Sequence, residues 1–183
     1  MTNTNPAATA IRTGYSDAPQ GTEHVHILFI EIEDRPGSID RLVGVLRRKR
    51  ANLLSLSLAP SEQADIMRVT AQVKDTEVAV DHLVEQVRKI FDVRVARSVS
   101  TEQAIVREYT LIHVDAPAAL VSEVITTGRR YGASVVDVTA QAVIMEAVGD
   151  AKQLQELSTA LQSYGMHEIA HSSCAACSYS ENS

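Results

Sequence analysis

The residues best suited to hold a ligand lie in one short run, Asp34-Arg35-Pro36-Gly37-Ser38-Ile39. Pro36 fixes its own φ, and Gly37 lacks the Cβ that would keep a ligand away from the backbone. If a helix opens here, the N–H groups of Gly37, Ser38 and Ile39 have no carbonyl four residues back. Bare amides at the positive end of a helix dipole form a carboxylate site. The same hexapeptide also suits a plain strand-to-helix turn with Asp34 as N-cap. A second candidate is Cys174-Ala175-Ala176-Cys177, with His167 and His171 upstream, which has metal-ligand spacing. It falls in a polar tail with no fold around it, so a loose tail is expected and no metal site. No Gly-x-Gly-x-x-Gly loop, P-loop, nucleophile elbow or helical His-Glu-x-x-His occurs, and no catalytic residue is indicated.

The elements that must position the hexapeptide are legible from hydropathy. Residues 25–33 read as a strand with an apolar centre, Ile27-Leu28-Phe29-Ile30, apolar on both faces and therefore covered on both. After the turn, Ile39, Leu42, Val43 and Leu46 form one stripe of an amphipathic helix. Leu54, Leu56 and Leu58 alternate with serines as a strand, and Pro60 ends it. Met67, Val69, Ala71 and Val73 make a third strand; Val80, Leu83, Val84 and Val87 make a second helix; Val93 and Val95, with Arg94 between them and Arg97 after, alternate as a fourth strand.

The order βαββαβ then restarts. A strand at about 106–114 precedes a helix carrying Leu120, Val121, Val124 and Ile125. Strands near 133–139 and 141–148 follow, then a helix with Leu154, Leu157 and Leu161, and a last strand near 166–171. The expected fold is therefore α+β: two ferredoxin-like units, each an antiparallel sheet with two helices on one face. The expected boundaries are a tail at 1–23, a first unit at 24–100, a second at 101–173 and a C-terminal tail at 174–183. A two-sided apolar first strand also predicts self-association, to cover the face that the helices leave bare.

Composition narrows the function classes. With 183 residues and 45% hydrophobic content, the chain can bury two small cores. A formal charge of −6 is wrong for a general nucleic-acid binder. The one cationic run, Arg47-Arg48-Lys49-Arg50, closes a predicted helix, where it offsets the dipole. No apolar stretch reaches the ~18 residues that span a bilayer, and no membrane partner is expected. The N-terminal residues lack the apolar core of a secretory signal, and two cysteines imply no disulfide framework, so a cytoplasmic location is expected.

An Asp-x-Pro-Gly-x-Ile turn between the first strand and first helix of a βαββαβ unit resembles the ACT domain, a family of amino-acid-binding regulatory modules. More narrowly, the chain resembles the small regulatory subunit of acetohydroxyacid (acetolactate) synthase. The stretches that carry this are 34–39, Ala51-Asn52-Leu53-Leu54-Ser55-Leu56 and Ile66-Met67-Arg68-Val69-Thr70. In the second half they are Arg107-Glu108-Tyr109-Thr110-Leu111-Ile112, Val135-Val136-Asp137-Val138-Thr139, Gly149-Asp150 and Ile169-Ala170-His171. Such a subunit is not itself an enzyme and holds no cofactor. It activates a separate catalytic subunit carrying thiamine diphosphate, magnesium and usually FAD, and confers feedback inhibition by valine or another branched-chain amino acid.

The resemblance places the effector between paired N-terminal domains, at Asp34, Gly37, Ser38, Ile39 and Asn52. Leu53 and Leu54 are placed to hold an isopropyl group. The subunit family often has asparagine where Asp34 stands. A carboxylate there favours the effector's ammonium and repels its carboxylate, so the identity of the effector stays open. A stand-alone ACT-type sensor controlling another target is the alternative.

Overall fold

The structure is a computed structural model that describes residues 21–179; the expected N-terminal tail lies almost wholly outside them. The first unit runs β1 (His24–Glu33), α1 (Ser38–Arg48), β2 (Leu53–Pro60), β3 (Ile66–Asp75), α2 (Glu77–Arg88) and β4 (Val93–Ser100). Its sheet is antiparallel in the order β2-β3-β1-β4. A 3-10 turn at Thr101–Gln103 leads into the second unit: β5 (Ala104–Asp115), α3 (Val121–Arg130), β6 (Ser134–Val138), β7 (Ala142–Gly149), α4 (Ala151–Gln162) and β8 (Met166–His171). That sheet has the order β6-β7-β5-β8. Two ferredoxin-like βαββαβ units with antiparallel sheets are present, as the hydropathy pattern predicts.

In the first unit Leu28, Ile30 and Ile32 face the helices. They pack into one core with Leu42, Val45 and Leu46 of α1 and with Val80, Leu83, Val84 and Val87 of α2. Two expectations need correction. Val43 is 42% exposed and Val45 takes its place in the core, because the stripe of α1 runs Leu42, Val45, Leu46, one step round the helix from the expected one. Val95 does not share a face with Val93. The register slips between Glu31 and Ile32, leaving Val93 against the core while Val95 turns to the opposite face. The cations that close α1 and α3, Arg47-Arg48 and Arg129-Arg130, sit in the last turns, where the dipole favours them.

The opposite face of the first sheet carries three rows across its strands: Ser55, Gln72, Ile27, Val99; then Ser57, Thr70, Phe29, Arg97; then Ala59, Arg68, Glu31, Val95. This face is covered in part by the chain itself. Residues 175–178, expected as tail, form a further strand, β9 (Ala175–Ser178), antiparallel to the start of β5. The ribbon of β5 and β9 lies against the open face. Ser55 Oγ donates to Cys174 Sγ at 3.3 Å, Ser173 Oγ to the Leu56 carbonyl at 2.9 Å, and Gln72 Nε2 to Glu108 Oε1 at 3.3 Å. Arg97, stacked over Phe29, donates to Ser178 Oγ at 3.0 Å. The loose-tail expectation failed because the tail's own apolarity is slight. It is ordered by backbone pairing and by the unit lying 70 residues or more away in sequence, which no local pattern reports.

At the turn between α4 and β8, Gly165 has φ 91° and an added Cβ would lie 2.9 Å from the Asp115 carbonyl oxygen. Both the left-handed backbone and the fixed carbonyl oppose a side chain. Gly165→Ala is expected to lower unfolding free energy by about 1–2 kcal/mol. Urea denaturation with no such loss would refute the geometry.

Candidate effector site

The hexapeptide leaves β1 and opens α1. Asp34 N–H donates to the Asp65 carbonyl at 2.8 Å, which ties the turn to the hairpin between β2 and β3. Gly37 is the N-cap, with φ 85° and no side-chain cap, so Asp34 does not cap the helix. The Gly37 carbonyl accepts the first helical bond, from Arg41 N–H at 3.0 Å. Ser38 is 1% exposed, and its amide is already bonded to the Arg35 carbonyl at 3.1 Å. Among the described residues, none accepts from the amides of Gly37, Ile39 or Asp40. The bare set is therefore Gly37, Ile39 and Asp40, with Ser38 removed from the expected trio. The side chain of Ile39 packs against the core and fixes the helix start.

Two residues that motif reading missed frame this cradle. Arg41 reaches back over the turn, with Nη1 3.0 Å from where a Cβ on Gly37 would stand. Its Nε donates to Asp92 Oδ2 at 2.5 Å, and its guanidinium sits 5.6 Å from the centre of the Phe91 ring. Asp92 is 0% exposed, and its Oδ1 has no partner among the described residues. A signal for Arg41 existed: a cation near a helix start opposes the dipole and needs an anion nearby. Which anion could not be read, because Asp92 is 51 residues away. Behind the turn, Glu33 is nearly buried, with Arg35 Nε 2.8 Å from its Oε2 and Arg94 on its Oε1. The turn thus presents bare amides beside a guanidinium, a set that can receive a carboxylate.

The other expected site residues are not brought to this turn within one chain. Asn52 and Leu53 stand where β2 begins, beside Lys74, whose N–H donates to the Asn52 carbonyl at 3.0 Å. The register puts that point level with Val73 and His26, while the hexapeptide adjoins the far ends of β1 and β3. Seven residues of β2 separate the two, about 23 Å at the usual strand rise. β2 is an edge strand with Leu53, Leu54 and Leu58 all exposed, Leu54 by 51%. Farther off, the hairpin carries Glu62, whose carboxyl is held below its ordinary value by a backbone hydrogen bond and by Arg68. Among the described residues, no three His, Cys, Asp or Glu side chains converge as metal ligands, and no helix is long and apolar enough to cross a membrane.

Comparison with known proteins agrees with both halves. Residues 28–95 match the family model described as "AHAS small subunit-like ACT domain", and 107–179 match "Small subunit of acetolactate synthase". The acetolactate synthase small subunit of Mycolicibacterium smegmatis is 31% identical over 147 residues, 80% of this chain and 86% of that protein. A probable acetolactate synthase small subunit of Archaeoglobus fulgidus is 29% identical over 79% of this chain and 91% of its own. The chain spans only 30% of the chloroplastic small subunit 2 of Arabidopsis thaliana, at 28% identity. In fold it is similar to the crystal structure of the Thermotoga maritima small subunit, with a TM-score of 0.75 at 19% identity, over 87% of this chain and 99% of that one. With both units matched in order and a bacterial relative covered over most of its length, the chain belongs to the acetolactate synthase small-subunit family.

Proposed function

We propose that this chain regulates acetolactate synthase, raising the activity of a separate catalytic subunit and conveying feedback inhibition by valine or another branched-chain amino acid, in the cytoplasm. The observation that carries the effector site is the turn itself: bare amides of Gly37, Ile39 and Asp40 beneath the Arg41 guanidinium. The effector's carboxylate meets those amides. Asp34, exposed at the rim, is placed to meet its ammonium.

The site is completed by a second copy. Two chains related by a two-fold axis through their β2 edges would set the turn of one against Asn52 and Leu53 of the other. The exposed leucines of β2 are what such a pairing would bury, and the ~23 Å between the two halves of the site in one chain is what it would close. The thiamine diphosphate, magnesium and FAD of the reaction belong to the catalytic partner.

The test is reconstitution. The chain alone should form no acetolactate, and added to its cognate catalytic subunit it should raise the rate several-fold, with branched-chain amino acids lowering that rate. Acetolactate formation by the isolated chain, or no stimulation, would overturn the reading.

A further inference from the structure

We infer that the seam between β9 and the open face of the first sheet binds a small carboxylate with a compact apolar body, gripped by Arg97. The inference stands on this seam and does not depend on the effector turn or on a catalytic partner. Arg97 is the residue that points to it. Every other described arginine is exposed, whereas Arg97 is half-buried. Several of the exposed ones still have carboxylates: Arg41 has Asp92, Arg68 has Glu62, Arg88 has Glu85, and Arg35 and Arg94 share Glu33. Arg97 has no carboxylate within ion-pair distance among the described residues. It stacks 4.8 Å from the centre of the Phe29 ring and donates to the Ser178 hydroxyl at 3.0 Å. A guanidinium drawn partly out of water without a counter-anion is costly, and an anionic ligand supplies what is missing.

Phe29 and Arg97, directly opposite on β1 and β4, line a cavity of about 290 Å³, and Ala176 and Ser178 of β9 line it from the other side. That volume is at the small end of ligand sites. The charges lining it are two guanidiniums and one carboxylate, Arg68, Arg97 and Glu31. Glu31 lies 3.8 Å from Arg68, which also takes Glu62 from outside the cavity, so Arg97 is the charge left unanswered. Phe29, Val95 and Ala176 supply apolar contact. Val95 reaches this face through the register slip between β1 and β4, and it stays 44% exposed. Such slips re-aim side chains beside binding sites.

The guanidinium is held by Phe29 beneath it and by Ser178 at one nitrogen, which leaves its other N–H groups to offer a carboxylate. A ligand seated there touches the first sheet and β9 together. Because β9 pairs with β5, occupancy fastens the second unit's ribbon to the first unit.

The experiment titrates the full-length chain with sodium benzoate and follows amide chemical shifts, with benzamide and sulfate as controls. Benzamide keeps the ring without the charge, and sulfate keeps charge without the ring. Benzoate should bind with a Kd of roughly a millimolar, the strength open to so small a ligand, and shift the amides of 29, 97 and 176–178. Benzamide and sulfate should each bind about tenfold more weakly or worse. Arg97→Gln, which can still donate a hydrogen bond but carries no charge, should weaken benzoate by a similar factor. In saturating benzoate the amides of 175–178 should exchange several-fold more slowly. The two control ligands use the wild-type chain, so they decide the matter even where the variant loosens β9. Benzamide or sulfate binding as tightly as benzoate would overturn the inference. So would unchanged benzoate affinity in Arg97→Gln, shifts confined to the effector turn at 37–40, or no benzoate binding at all.

Discussion

Gly37→Asp is expected to weaken effector binding by about 2 kcal/mol, roughly thirtyfold, or more, while leaving activation of the catalytic partner in place. Two effects add. Gly37 holds φ 85°, where an L side chain costs about 1–2 kcal/mol, and its Cβ would meet Arg41 Nη1 at 3.0 Å. The larger effect is charge. A carboxylate at the N-cap would occupy the helix N-terminus that the effector's own carboxylate needs, and would bond the amides intramolecularly. Gly37→Asn separates the two, since asparagine tolerates the left-handed region and carries no charge. Calorimetry on the folded full-length chain should therefore rank wild type above Gly37→Asn, and Gly37→Asn above Gly37→Asp. Equal affinities for the wild-type chain and the Gly37→Asp variant would mean the effector does not use this turn.

How much of this was readable in the sequence differs between fold and site. The order of elements followed from local periodicity, because each helix stripe and each alternating strand is written in neighbouring residues. The places where that reading slipped are long-range in origin. Val43 and Val45 both fit a helical stripe, and only the packing of α1 against β1 and α2 chose between them. Val95 was turned outward by a register slip that no dipeptide announces. The tail became a strand because β5 extends beyond its own sheet and offers four residues of free edge, 104–107.

For the site, the hexapeptide was legible because it is contiguous and its Pro-Gly chemistry is local. Its amide set was not. Whether Ser38 N–H is bare depends on the carbonyl of Arg35 folding back, a detail of backbone path. Asn52 and Leu53 were named through resemblance alone, and nothing in one chain draws them to the turn.

The pair beneath the turn gives the largest expected effect on stability. Arg41→Met keeps most of the aliphatic stem and its contact with Phe91, but removes the cation bonded to Asp92. Arg41 itself is partly exposed, so losing its own interactions with water and protein matters little. The cost falls on Asp92, a carboxylate with no exposure and one oxygen already without a partner among the described residues. Leaving such a charge buried and uncompensated costs about 3–5 kcal/mol. Replacing both partners with apolar residues, Arg41→Met with Asp92→Leu, should recover most of that loss, since the buried charge is then gone. Urea denaturation of the two single variants and the double variant closes the cycle, and a coupling below about 1 kcal/mol would show that the pair is not the support assigned to it. The same set reports on the site. Asp92 anchors the end of β1 through its carbonyl, which accepts Glu33 N–H at 2.9 Å, so the double variant should keep the turn's backbone in place. Without the guanidinium over Gly37, however, it should bind the effector more weakly than wild type even where its stability is restored. Stability and affinity recovering together would place Arg41 in the scaffold alone and take it out of the mouth of the site.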